Sequence, residues 1–347
     1  MKRRTLLTLL LAGSAGVALA RPRAATGTVL VLLELRGGND GLNTVAPVRD
    51  PLYQQARPTL ALRDALPLAD GLALHPALAP LLPLWQSRRL AFALGVGWPK
   101  PNRSHFKAAD QWATGSASGK GPGWLTRAVP LGPLLALGPG GCAAMEGGEV
   151  LSLQLAPAQL RQRALPALDP ALAGNNPVLR KLLELEQAGQ REIERLRREL
   201  APLPPGLEIP RVVLGAQVAL ALRLIGSGHC PPVLQLAQGG YDTHAQQAAR
   251  HGRVLTELGA ALAAFAAGLE RLPQRRAVRL LAVSEFGRRL QENGSRGTYH
   301  GSASVALLLG DGLREQLIGH YPSLRKLDGR GGLIAGISPP DLYGQVV

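Results

Sequence analysis

Five stretches of this chain are almost wholly apolar and stop at glycine or at a polar cluster. They are residues 28–35 (TVLVLLEL), 90–96 (LAFALGV), 233–237, 277–283 and 305–309. Each is too short for a core helix, and each lacks the polar alternation of a half-exposed strand. This is the pattern of strands buried on both faces. Between them the apolar positions recur at helical spacing. Residues 75–85, 104–114, 178–200, 212–225 and 246–272 are predicted helices, with Ser104 near the N-cap of the second. The helix over 178–200 is strongly charged, and Pro202, Pro204 and Pro205 end it. Residues 115–176 are rich in glycine and proline, with short apolar runs at 134–137 and 150–155. Strands alternating with helices predict an α/β fold with a central, mostly parallel sheet flanked by helices. The charged helix and its proline-rich exit read as a helical insertion near 157–210, within one domain spanning 24–347.

The amino terminus follows another pattern. Lys2, Arg3 and Arg4 precede an apolar run of small and aliphatic residues, and Ala18, Leu19 and Ala20 form a small-x-small cleavage site. Residues 1–23 are therefore predicted to be a signal peptide. The paired arginines point to the twin-arginine route, with a general secretory signal as the alternative, and hence to a periplasmic or otherwise exported protein. No membrane span is expected in the mature chain. The chain has 347 residues, 46% of them hydrophobic, which excludes a disordered protein and allows a sizeable core. Its net charge of +15 invites a nucleic-acid reading. The arginines are scattered, however, aromatics make up 4%, and no finger or RNA-binding signature occurs. A solvated basic surface is the better reading, with no nucleic-acid partner. Cys142 and Cys230 allow either a disulfide or two isolated thiols. Without a CxxC pair they do not predict a thiolate zinc site.

In open α/β sheets, ligands bind beyond the carboxyl ends of the strands. Here those ends carry chemistry. Asn39 and Asp40 follow the first strand, and Asn102, Arg103, Ser104 and His105 follow the second. Asp242 and His244 follow the third, and the fourth runs into Ser284, Glu285, Phe286, Gly287 and Arg288. His300 precedes the fifth. Carboxylate with imidazole is the mixed ligand set of zinc, manganese or iron. A serine at a helix start beside a metal can act as a nucleophile, and the helix end favours phosphate or sulfate. Arg36, Arg103 or Arg288 could clamp such an anion. Each residue also has a local reading. Asp40 could cap the turn between Gly38 and Gly41, Ser104 could be only an N-cap, and Glu285 could pair with Arg288 or Arg289. Asp242 and His244 could be a surface pair. His75, His229, His251 and His320 are read as structural. The loop Gly37-Gly38-Asn39-Asp40-Gly41 is not G-x-G-x-x-G, which argues against a dinucleotide enzyme.

The segments LRGGNDGLNTVAP, PNRSHFKAADQWATG, GGYDTHAQQ and SEFGRR with ENGSRGTYHG resemble the signatures of the family called domain of unknown function 1501, over roughly residues 28–343. That family is grouped with the alkaline phosphatase and sulfatase superfamily. The resemblance implies an alkaline-phosphatase-like three-layer sandwich with one or two divalent metals at the strand ends; zinc, manganese or calcium is expected. It implies Asp40, Asp242, His244 and His300 as metal ligands, with Ser104 as nucleophile. Glu285 is taken as a second catalytic group, and Asn39, Arg103, His105 and Arg288 as substrate-binding residues. Where the family usually reads Gly-Thr-Asp-His-Gly, this chain has Tyr299 in place of the aspartate. The expected function is hydrolysis of phosphate or sulfate esters. The alternative is a degenerate member that binds an anion, a glycan or a partner protein without turnover.

Overall fold

The computed structural model describes residues 27–129, 134–147, 152–155, 157, 169–228, 230–273 and 276–345. The signal peptide expected over 1–23 lies outside the described residues, as do residues 158–168 of the expected insertion. Strands β1 (Val29–Leu35), β2 (Leu90–Val96), β3 (Leu134–Ala136), β4 (Ser152–Gln154), β5 (Val233–Gln238) and β6 (Val278–Val283) come first in the chain. A hairpin follows, made of β7 (Arg288–Glu292) and β8 (Thr298–His300), and then β9 (Ser304–Gly310) and β10 (Leu317–Ile318). Of these, all but the hairpin strands join one eight-stranded sheet, in the order β10-β2-β9-β6-β1-β5-β3-β4, while the short segments Val45–Ala46, Leu66–Pro67 and Ala73–Leu74 pair in a small sheet of their own.

Alternation along β1 explains its unbroken apolar run. Val29, Val31, Leu33 and Leu35 enter the core on one face, and Leu30 and Leu32 enter the core on the other. The strand is therefore apolar throughout Val29–Leu33, and Glu34 near its end pairs with Arg36 and accepts from Gln235 Nε2 at 2.8 Å. The helices are α1 (His105–Thr114), α2 (Pro177–Glu199), α3 (Val213–Gly226), α4 (Gln247–Glu270) and α5 (Pro339–Tyr343). Val218 and Leu222 of α3, with Val254, Leu258 and Phe265 of α4, belong to the first core. Trp112 of α1, Trp124 and Tyr343 of α5 belong to the second. Helix α4 has the length and apolarity of a membrane span, but its apolar side chains are largely buried in this core. Asn176 caps α2, its side chain accepting from the N–H groups of Val178 and Leu179. Leu196 of α2 reaches the first core.

The sheet is mostly parallel, with one reversal. Strand β9 runs antiparallel to both β2 and β6, whereas the other pairings are parallel. The carboxyl ends of β1, β2, β5 and β6 therefore share an edge with the amino end of β9, and His300 reaches that edge by preceding β9. One expectation changes, and one open alternative is decided. The helix expected over 75–85 is a 3-10 turn (Pro76–Leu81) followed by a short α-helix (Leu82–Gln86). Pro80 supplies no N–H to an α-helical ladder there. The cysteines are both buried free thiols, Cys142 in one core and Cys230 in the other.

His251 on α4 is buried and hydrogen-bonded to Asn39 Oδ1 at 2.9 Å, with its ring centroid 5.9 Å from that of His75. Burial pushes the His251 imidazole down to about 3 and the His75 imidazole down to about 4. The unfolded chain takes up these protons near pH 6.5, while the fold refuses them until far lower pH. The stability given by the neutral rings is thus present above about pH 6.5 and lost as pH falls towards the folded values. His251 by itself should cost about 2 kcal/mol between pH 7 and pH 5. Urea unfolding at the two pH values checks this, and an unchanged midpoint would refute it.

Candidate functional site

Arg288 opens β7 and lies wholly inside the protein, 1% exposed. Its Nε donates to the Gly38 carbonyl at 2.7 Å and its Nη1 to the Thr298 carbonyl at 3.1 Å. Its Nη2 faces the Gly37 carbonyl, the Tyr241 carbonyl at 2.9 Å and Asp242 Oδ1 at 2.8 Å. One guanidinium thus ties together the loops after β1 and β5 and the strand β8. The double glycine after β1 makes this approach feasible. A Cβ on Gly37 would lie 2.5 Å from the Asp242 nitrogen, and one on Gly38 would lie 2.3 Å from the Phe286 ring.

Asp242, held by this clamp, is ringed by imidazoles. Its Oδ1 lies 2.9 Å from His244 Nε2 and 3.1 Å from His300 Nε2, and its Oδ2 lies 3.5 Å from His105 Nε2. His244 Nε2 and His300 Nε2 are themselves 2.9 Å apart. The outer ring nitrogens are committed elsewhere. His105 Nδ1 pairs with Glu285 Oε1 at 2.8 Å, and His300 Nδ1 with the Arg103 carbonyl at 2.9 Å. Oxygen of either kind only accepts here, so each Nδ1 carries a proton, and in the neutral ring Nε2 presents its lone pair. His244 also bonds to the Thr298 backbone. The buried Phe286 ring sets the orientation of two imidazoles, its centroid lying 5.0 Å from that of His105 and 4.6 Å from that of His300.

The electrostatics follow from these contacts. Burial works against the Asp242 charge, but the hydrogen bond and positive charge of Arg288 hold its carboxyl down at about 2. Burial and the Arg288 charge lower the His244 imidazole. The hydrogen bond to Glu285 raises His105. Burial opposes ionisation of Glu285, yet His105 and the Gly37 N–H (2.9 Å) keep its carboxyl below the usual value. Ligand atoms of His105, Asp242 and His300 lie within 4.8 Å of one another. Nitrogen and carboxylate donors whose outer atoms are hydrogen-bonded suit a divalent ion. Two Nε2 lone pairs facing each other at 2.9 Å repel unless a proton or a cation lies between them.

The remaining expected residues divide into those at the cluster and those turned inward. Asp40 is turned inward. Fully buried, it pairs through both oxygens with Arg57, 3.0 Å from Nη2 to Oδ1, and also accepts from Gln247. The Arg57 charge keeps its carboxyl ionised despite burial, which alone would raise the pKa. Arg57 further donates to Asn43 Oδ1 and to the carbonyls of Leu290 and Arg289, at 2.7, 2.9 and 2.9 Å. The carboxylate expected on a metal is therefore the counter-ion of a buried arginine. Asn39 is also buried, bonded to Thr44 and His251. Arg288, expected to bind substrate, spends its donors on the loops. Ser104 has the N-cap position of α1, but its side chain makes no capping bond, and it is exposed beside His105. Tyr299 is 53% exposed, its ring 6.2 Å from that of His244 and 5.2 Å from Arg289 Cζ. Sequence reasoning missed Arg57, Gln247, Ser302 and Asp328. Only Asp328 carried a local signal, as the first residue of an Asp-Gly-Arg-Gly-Gly turn.

Replacing Asp40 by alanine should cost about 3–5 kcal/mol, because Arg57 would remain buried without its counter-charge. Urea unfolding measures this. A loss under about 1 kcal/mol would show that the pair does not hold the loop after β1.

No curated protein matches the sequence. The family model described as "Protein of unknown function (DUF1501)" matches residues 156–326, a stretch that includes Asp242, His244, Glu285, Arg288 and His300, and this match supports that family for the chain.

Proposed function

We propose that this protein is a metal-dependent hydrolase of phosphate or sulfate esters. The observation that carries this reading is the shared orientation of His105 and His300. Each commits Nδ1 to a hydrogen-bond acceptor and turns Nε2 towards Asp242. Asp242, His300 and His105, with His244 beside them, would hold one divalent ion; zinc, manganese or calcium is the expected choice. Such an ion, when bound, supplies positive charge that polarises the ester oxygen. Ser104, exposed at the start of α1, is the nucleophile of this reading, and the helix N-terminus favours the anionic group of the substrate. Arg103, its guanidinium paired with Asp328, contributes the carbonyl that holds His300. Glu285 keeps a proton on His105 Nδ1 and fixes that ring. Asn39 and Arg288 act through the loops they hold.

This assignment agrees with the resemblance to alkaline-phosphatase-like hydrolases, with one ion site in place of two. Asp40 is occupied by Arg57, and Tyr299 stands where the family's aspartate is usual. These two observations also favour a second reading, in which the cleft binds an anion, a glycan or a partner protein without turnover. Under either reading the protein is exported through its twin-arginine leader, most simply to the periplasm.

Elemental analysis of the purified protein, followed by a panel of phosphomonoester, phosphodiester and sulfate esters, separates the two. The hydrolase reading expects one equivalent of a divalent metal, lost in Asp242→Ala. It expects Ser104→Ala to keep the metal and lose about a thousandfold or more in hydrolysis. A folded, metal-free protein that leaves every ester intact would overturn it and support the binding reading.

A further inference from the structure

We infer that Asp328 is a positioning residue for His300, acting through Arg103 and Ser302. The inference rests on reading His300 and Asp242 as ligands. Asp328 sits in the turn 328–332, far along the chain from α1 and outside every motif discussed above. Its Oδ1 accepts from the N–H groups of Arg330 and Gly332 at 2.8 and 3.0 Å, which closes the turn. Its Oδ2 is thereby aimed at two groups, Arg103 Nη2 and Ser302 Oγ. The turn is shaped for this contact. A Cβ on Gly332 would lie 2.4 Å from Ser302 Oγ and 2.7 Å from Asp328 Oδ2, so only glycine leaves room for the carboxylate.

Both groups held by Asp328 adjoin His300. Ser302 lies two residues beyond it in the chain. Arg103, whose Nη2 also donates to Ser302 Oγ at 3.0 Å, supplies the carbonyl that accepts the His300 Nδ1 proton at 2.9 Å. One carboxylate therefore fixes the acceptor of His300 and the chain that carries it. With that acceptor in place, His300 keeps its proton on Nδ1 and its lone pair on Nε2, towards Asp242. Without it, the ring is free to carry the proton on Nε2, the form that cannot bind a cation through the nitrogen facing Asp242. The same ion pair anchors the residue just before Ser104 and His105, so Asp328 also sets where α1 begins relative to the cluster.

The test uses the whole protein, labelled with 15N and stripped of metal. It is held near pH 8, and His300 is assigned by comparison with His300→Gln. Long-range proton–nitrogen correlation distinguishes the two neutral tautomers. Wild type should show His300 protonated at Nδ1. Asp328→Asn, and separately Gly332→Ala, should yield a mixture, with zinc affinity by calorimetry about ten- to a hundredfold weaker than wild type. Circular dichroism confirms that each variant is folded, and the two variants disturb the contact differently, so both need not fail to fold. An unchanged tautomer in folded variants overturns the inference, as does a wild-type ring already protonated at Nε2. If wild type binds no zinc, the metal reading above fails, while the tautomer measurement still decides the role of Asp328. If zinc binds equally well to wild type and variants, the metal reading stands and the positioning role falls.

Discussion

A buried guanidinium with little counter-charge is the constraint around which the site is built. Moving a cation out of water costs several kcal/mol unless its hydrogen-bonding capacity is met. Arg288 meets it mainly with carbonyl oxygens, from Gly37, Gly38, Tyr241 and Thr298, and with one carboxylate oxygen of Asp242. Those acceptors belong to segments far apart in the chain. They satisfy Arg288 only by meeting at one point, and their convergence brings Asp242 to the edge of the sheet among three imidazoles. The clamp also explains why Asp242 keeps its charge there. Its Oδ1 accepts a hydrogen bond from that guanidinium at 2.8 Å.

A second buried arginine has the opposite effect. Arg57 meets Asp40 where neither is exposed, and together with Gln247 it uses up that carboxylate. The two aspartates follow neighbouring strands of one sheet, yet one is a structural counter-ion and the other a site group. Exposure separates them, since the Asp242 side chain is 46% exposed and that of Asp40 is 0% exposed. A carboxylate with both oxygens spent on a buried ion pair has nothing left for a ligand.

Topology supplies the remaining contact. The reversed strand β9 starts where its neighbours end, so the hairpin before it delivers His300 to the same edge as His105, Asp242 and Glu285. Phe286 then packs against two of the imidazoles, and Asp328 reaches over from a late turn to hold Arg103 and Ser302. The protein thus devotes buried contacts from β1, β5, β6, β8 and the 328–332 turn to fixing a few ring orientations.

Much of this was legible in the sequence. Apolar runs mark β1, β2, β5, β6 and β9 because burial on two faces leaves room for few polar positions, such as Glu34 and Gln235, which bond each other; this is a local property of each segment. Helical spacing marks α1 to α4 for the same reason. That Asp242, His244, Glu285 and His300 gather near strand ends followed from the alternation of strands and helices. The spacing failed at 75–85, where Pro80 replaces an α-helix by a 3-10 turn. The sequence by itself therefore determined which segments are buried and which polar groups lie near the edge of the sheet. Only the tertiary structure decided that Asp40 faces Arg57, that Asn39 and Arg288 turn inward, and that Asp328 stands behind His300. Hydrophobic patterning is written in adjacent residues. The role of a polar side chain depends on which charges and acceptors from remote segments are buried beside it.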